Sequence, residues 1–239
     1  GEGRNRHAAK VAQERRFKDY RSDLILDIRH IKLALKGLRQ LSRIGAEDEL
    51  DLEETIDETC KNAGEIELIF KRSRKNAAKV LLLMDVGGSM DPFALLCSRL
   101  FTAAHASAHF KDLQFYYFHN CVYDHVYTNA MMYEGMSTDY LINTLPPDYK
   151  VIFVGDARMA TSELTHKNGI INYYMRNDLP GILWLKKFAD HFTHTVWLNP
   201  EEMYYWNHPT VMMINKMFSM YPLTVDGISD AVKKLIVKK

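Results

Sequence analysis

The residues with the clearest chemical potential lie in the segment Met84-Asp85-Val86-Gly87-Gly88-Ser89-Met90, where a carboxylate ends an apolar run and a hydroxyl follows across two glycines. A second apolar run, Val151-Ile152-Phe153-Val154-Gly155, ends in Asp156, and Thr138 stands in a loop between the two. Carboxylate and hydroxyl oxygens are hard ligands that suit Mg²⁺, Mn²⁺ or Ca²⁺ and do not suit a thiophilic metal. Asp85, Ser89, Thr138 and Asp156 can together form an oxygen site for a divalent cation. An Asp followed by Gly-Gly is by itself also an ordinary turn, with glycine supplying positive φ, so the reading rests on three loops rather than one.

Other groupings carry less. His105 and His109 stand four apart on a predicted helix, the spacing of a zinc-binding pair, but Ala106 occupies the place of the catalytic Glu in a His-Glu-x-x-His arrangement. Half-buried or surface histidines are the simpler reading. His119, Cys121 and His125 can hold a soft metal, yet strand alternation and aromatic neighbours favour packing. Asp85 at a strand end is also where an aspartyl nucleophile of a metal-assisted phosphate-ester hydrolase would stand, but no second Asp follows two residues later. A phosphate-binding Gly-x-x-x-x-Gly-Lys loop and a Gly-x-Ser-x-Gly elbow are both absent. No catalytic residue is assigned.

The elements that must position these residues alternate between apolar runs and helical patterns. Buried strands are predicted at Val80 to Val86 and Val151 to Gly155, and aromatic strands at Leu113 to Phe118 and Val122 to Tyr127, with a tight reversal at His119-Asn120-Cys121. Helices are predicted at Phe93 to Phe110, at Thr138 to Leu145 before Pro146-Pro147, at Gly181 to Phe192, and at Pro209 to Phe218. Thr195 to Leu198 and Leu223 to Val225 read as strands, and Asp226 as the cap of a last helix. Such alternation implies right-handed crossovers and a doubly wound, mainly parallel α/β sheet with helices on both faces. Ligands bind such sheets beyond the carboxyl ends of strands where the winding reverses, which gives Asp85 and Asp156 a functional position.

Ahead of this lies a different region. Residues 1 to 22 form a basic arm with few large apolar residues, read as a solvated or partner-docked tail. Leu24, Ile28, Ile31, Leu35 and Leu38 recur at helical spacing, predicting a helix that ends near Gly45. The acidic stretch Glu47 to Glu58 is expected to form a short surface helix, and Glu65 to Phe70 a half-buried strand before the basic cluster Lys71, Arg72, Arg74 and Lys75. The acidic and basic blocks offset one another. The expected division is therefore 1–64, a basic arm with a helical segment, and 65–239, the α/β domain.

Composition narrows the function classes. Lys and Arg total 31 against 30 Asp and Glu, so nucleic acid and anionic membrane are not expected as partners. The apolar runs fall far short of the ~20 residues of a spanning helix. Three widely spaced cysteines, Cys60, Cys97 and Cys121, fit reduced thiols and a cytoplasmic location. Gly1 replaces an initiating Met and no apolar signal region follows, as expected of a trimmed chain without a secretory leader. Trp184 and Trp197 read as core, whereas exposure decides whether Met203-Tyr204-Tyr205-Trp206 is a recognition surface.

The three loops resemble those of a von Willebrand factor A (VWA) domain, whose metal-ion-dependent adhesion site uses Asp-x-Ser-x-Ser, then a Thr, then an Asp. The resemblance implies ligation by Ser89 and Thr138, with Asp85 and Asp156 acting directly or through water. It also places Gly87 where the family's first Ser stands, so one hydroxyl ligand is missing, to be replaced by water or partly by Asp91. The chain resembles most closely the bacterial CoxE-like branch, through Arg15-Arg16-Phe17-Lys18-Asp19-Tyr20-Arg21, Met84-Asp85-Val86-Gly87-Gly88-Ser89-Met90-Asp91-Pro92, Tyr116-Tyr117-Phe118-His119-Asn120-Cys121, Ile152-Phe153-Val154-Gly155-Asp156-Ala157 and Val196-Trp197-Leu198-Asn199-Pro200. That branch is similar to proteins that work beside MoxR-type AAA+ ATPases as adaptors in the assembly or maturation of other proteins and metal centres.

The expected function is thus a non-enzymatic binding module in which a Mg²⁺ or Mn²⁺ ion, or Ca²⁺, is completed by a carboxylate of a protein partner. The resemblance implies a MoxR-type AAA+ ATPase and a client protein as partners. The alternatives are a metal-assisted phosphate-ester hydrolase and a metal-independent adaptor that binds through its aromatic surface and charged N-terminal region.

Overall fold

The computed structural model describes residues 27–39, 41–107, 110–170 and 176–237. The basic arm, Leu24 and His109 lie outside the described residues.

Apolar side chains on alternate sides of β3 (Lys79–Asp85) build two cores at once. Leu81 and Leu83 join one cluster, and Val80, Leu82 and Met84 the other. The same division runs through β7 (Lys150–Val154) and β8 (His194–Asn199), so these strands read as continuous apolar runs because both faces are covered. A seven-stranded sheet results, in the order β6-β5-β4-β3-β7-β8-β9, where β4 is Asp112–Phe118, β5 His125–Tyr127, β6 Gly135–Ser137 and β9 Ser219–Pro222. Strands β4, β3, β7, β8 and β9 are parallel, and β5 pairs antiparallel with both β4 and β6. The expected doubly wound α/β fold is what forms.

One face is covered by α1 (Ile28–Leu35), α3 (Ala94–Ala106) and α8 (Val225–Ile236), which contribute Ile31, Leu100 and Ile228 to the second cluster. The other is covered by α4 (Thr138–Thr144), the short α5 (Thr161–Thr165), α6 (Gly181–His191) and α7 (Pro209–Met217), with Leu141, Leu164, Phe188 and Ile214 inward. The chain leaves β3 toward β4 on one side and later lays β7, β8 and β9 on the other. The winding therefore reverses between β3 and β7, whose carboxyl ends carry Asp85 and Asp156.

Residues 41–76 form an appendage. β1 (Leu41–Leu50) pairs antiparallel with β2 (Phe70–Asn76), and α2 (Leu52–Lys61) connects them. Several expectations need correction here. The first helix stops at Leu35 and continues only as a 3₁₀ turn to Leu38, because the chain then enters β1 rather than running to Gly45. Glu47 and Glu49 lie on that strand, opposite Arg72 and Lys71, so the acidic and basic blocks offset each other across a ribbon. Residues 65–69 form no strand, and β2 takes up the basic cluster instead. Residues 64 and 65 lie between α2 and β2, and α1 shares the core of the main sheet.

Toward the C-terminus the last strand is Ser219–Pro222 rather than Leu223 to Val225. Thr224, not Asp226, caps α8, its hydroxyl accepting a hydrogen bond from Gly227 N at 3.1 Å. The first helix after Asp85 also begins later than expected, since Gly88–Phe93 forms a 3₁₀ turn containing Pro92.

Candidate functional site

Asp85 ends β3 and is only 3% exposed, with Phe118 beside it on β4. Its Oδ1 accepts hydrogen bonds from Gly87 N at 2.7 Å and Asn120 N at 2.9 Å. Its Oδ2 is buried without a hydrogen-bond partner. Burial drives the carboxyl up from its ordinary range to about 7, and the negative charges of Asp156 and Glu163 push the same way against the two N–H donors.

Asn120 sits in the reversal after β4 with φ of 57°, a left-handed conformation that Asn tolerates better than most residues. Its Nδ2 faces the Glu163 carboxylate, 3.3 Å from each oxygen. Its Oδ1 fills the space over Gly87, where a Cβ would overlap it outright and stand 3.2 Å from Asp85 Oδ1. Glycine at 87 is therefore a close-approach requirement.

Asp156 follows β7 and is 1% exposed, its Oδ1 accepting from Arg158 N at 2.9 Å. The loop is fixed on both sides. Asn199 Nδ2 donates to Asp156 O at 2.9 Å, and the Thr210 hydroxyl donates to Ala157 O at 2.8 Å, holding Ala157 at φ of 58°. Beneath it, Trp197 Nε1 donates to Gly155 O at 2.7 Å. Gly155 in turn lies against Asp85, since a Cβ there would sit 2.9 Å from the Asp85 Cβ.

The structure thus brings Asp85, Gly87 and the Asp156 loop together. Ser89 is exposed on the 3₁₀ turn that follows Gly87. Thr138 is fully buried at the start of α4, where its hydroxyl donates to Tyr123 O at 2.6 Å. The Tyr123 phenol donates to Glu163 O at 3.1 Å, which links Thr138 to the cluster through one intervening residue. Neither Ser89 nor Thr138 hydrogen-bonds to Asp85. Sequence reasoning missed Asn120 and Glu163. Glu163 is 3% exposed and also accepts from Ala160 N at 3.2 Å. The only hint at Asn120 was its place in a tight reversal, where Asn is common for backbone reasons.

These residues fit a divalent cation in one specific respect: a buried carboxylate oxygen lacks any donor, and two further carboxylates raise the local demand for positive charge. Among the described residues, no group of three or more His, Cys, Asp or Glu side chains is arranged to hold a metal ion. The donor set that fits is accordingly mixed, with Asp carboxylates joined by hydroxyl, amide or water oxygens, as Mg²⁺ accepts.

Residues 24–135 match the family model described as VWA domain containing CoxE-like protein. Those residues, just under half of the chain, are similar to a VWA domain of the CoxE-like family. Comparison with curated proteins and with solved structures found no match. VWA domains are as a class protein-interaction modules. No helix among the described residues is long and apolar enough to cross a membrane.

Elsewhere among the described residues, His105 and His125 are exposed, His119 is half-buried and Cys121 belongs to the core. His105 is exposed and stacks on Phe101 at 5.9 Å. Cys121 is buried at 1% exposure, with burial pushing its thiol strongly upward, whereas His125 is exposed beside Asp124 at 3.1 Å. His119, Cys121 and His125 do line one cavity of about 320 Å³, together with Asn120 and Glu163. Burial likewise pushes Cys97 up to about 12. Trp197 stacks on Phe153 at 5.1 Å and Trp184 is buried, as a core role requires. Tyr204 and Tyr205 differ. They are 80% and 49% exposed, and pack edge to face at 5.3 Å. Trp206 Nε1 anchors their turn to Glu201 O, and Glu201 pairs with Arg158, two residues beyond Asp156.

Proposed function

We propose that this VWA domain is a non-enzymatic adaptor whose Asp85, Ser89, Thr138 and Asp156 hold Mg²⁺ or Mn²⁺, around the gap left at Gly87, for recognition of a partner's carboxylate. Within that reading it works with a MoxR-type AAA+ ATPase in the assembly or maturation of other proteins, as the resemblance implies. The observation that carries it is the unpartnered, buried Oδ2 of Asp85 at the point where the sheet's winding reverses. A bound cation would supply the positive charge that this oxygen lacks and an open coordination position. The protein's own groups hold the carboxylate in place, with Gly87 N and Asn120 N occupying Oδ1 and leaving Oδ2 for the ligand.

Exposed aromatic side chains beside the Asp156 loop suit such a role, since Tyr provides large contact area at low entropic cost. The same side chains favour a second reading, an adaptor that binds without metal. The two separate in one experiment: affinity for a purified MoxR-type AAA+ ATPase is measured in Mg²⁺ and in excess chelator. The cation reading requires binding to be lost in chelator and on Asp85→Ala. A complex that keeps its affinity in chelator, and loses it on Tyr204→Ala with Tyr205→Ala, supports the metal-independent adaptor instead.

A further inference from the structure

We infer that Asn120 supplies through its Oδ1 the oxygen ligand that Gly87 cannot, so that the cation site comprises Asp85, Ser89, Thr138, Asp156 and Asn120; the inference rests on the cation reading above. Residue 87 is where the family's pattern has a hydroxyl side chain. Here the place of that side chain is filled from the end of the neighbouring strand: a Cβ on residue 87 would overlap Asn120 Oδ1 and stand 3.2 Å from Asp85 Oδ1. The replacement is chemically like for like. An amide oxygen is a hard, neutral acceptor, as a hydroxyl is, and belongs to the ligands that Mg²⁺ and Ca²⁺ use.

Two contacts and one backbone conformation fix that oxygen. Asn120 N donates to Asp85 Oδ1 at 2.9 Å, tying the reversal after β4 to the carboxylate itself. The left-handed backbone at φ of 57° turns the residue back over the sheet end. Nδ2 faces both oxygens of Glu163 at 3.3 Å, so the amide is oriented with its NH₂ toward Glu163 and its oxygen toward Gly87. A flipped amide would set its oxygen against a carboxylate. Glu163 is on this account a positioning residue, and Gly87 and Asn120 are a matched pair in which the small residue admits the long one.

The test uses wild type, Asn120→Gly, Gly87→Ser, the Gly87→Ser/Asn120→Gly double variant and Glu163→Gln. Glycine at 120 keeps the left-handed backbone available. Each protein is titrated calorimetrically with Mg²⁺ and with Mn²⁺, and melted thermally without metal. Asn120→Gly is expected to weaken cation binding about tenfold or more, and Glu163→Gln to weaken it about tenfold by releasing the amide. Gly87→Ser alone melts lower, because its side chain meets Asn120, whereas the double variant recovers affinity to within a few-fold of wild type by restoring a hydroxyl in the vacated space. Wild type that binds cation while Asn120→Gly binds equally well overturns the assignment of Asn120 and leaves the cation reading standing. A double variant that binds no more tightly than Asn120→Gly overturns it too. Wild type that binds no cation overturns both.

Discussion

Asp85 and Asn120, 35 residues apart, are joined by a hydrogen bond of 2.9 Å from the Asn120 backbone N–H to Asp85 Oδ1. With Gly87 N at 2.7 Å on the same oxygen, the carboxylate accepts two backbone hydrogen bonds at Oδ1 and none at Oδ2. The shape of the loop after β3 is thus set partly by the loop after β4. A cation reading of this site has consequences for stability as well as for binding.

The first is a pH dependence. The Asp85 carboxyl lies at about 7 in the folded protein against 3.8 ordinarily, so the folded state retains a proton that the unfolded state releases between those values. Folding stability therefore falls as pH rises from about 4 to about 7, and the loss is complete above that. In metal-free protein Asp85→Asn should be more stable than wild type at pH 8, by roughly 4 kcal/mol at most, with the difference shrinking toward pH 4. Urea denaturation in chelator at pH 5 and pH 8 measures this, and saturating Mg²⁺ should raise wild-type stability at pH 8 but not that of Asp85→Asn.

Gly155→Ala places a methyl group 2.9 Å from the Asp85 Cβ. Both atoms sit on adjacent buried strand ends and neither is the far end of a flexible chain. A loss of about 1–3 kcal/mol in unfolding free energy is expected, with weaker cation binding because Asp85 must shift. Chemical denaturation and cation titration of the same variant check the two effects.

Trp197→Phe removes the donor to Gly155 O and leaves that buried carbonyl unpaired. The cost is about 1–3 kcal/mol from the hydrogen bond, and the smaller ring adds to it by loosening the stack on Phe153. Thermal melting of the variant measures the loss.

Much of this arrangement was legible in the sequence. β3 and β7 are buried on both faces, and an apolar run closed by Asp is a local signal, so Asp85 and Asp156 could be placed at strand ends from the residues alone. Strand alternation then set them at the reversal of the winding. Asn120 and Glu163 were not legible, because their roles depend on contacts across 35 and 43 residues with Asp85 and with each other. The ribbon was misread for a related reason. Glu47 and Glu49 look like a solvated helix face until Arg72 and Lys71 are set opposite them, and only the pairing supplies that information. Thr224 rather than Asp226 caps α8 because the bend after Pro222 decides which residue stands at the helix start.

Tyr204 and Tyr205 touch little of the core, so replacing either with Ala should change unfolding free energy by less than about 0.5 kcal/mol. As a contact surface beside the Asp156 loop, they should cost about 2 kcal/mol or more of affinity for the proposed AAA+ partner when at least one of them is replaced. Thermal melting and a binding isotherm on the same preparations separate these effects.

The central claim is that Asp85 is a cation-binding carboxylate. Calorimetric titration of Mg²⁺ and Mn²⁺ into metal-free protein, with Asp85→Ala as the control, tests it most directly. Saturable binding at one site in wild type and its loss in Asp85→Ala are expected. Heat that is absent from wild type, or unchanged in Asp85→Ala, would contradict it.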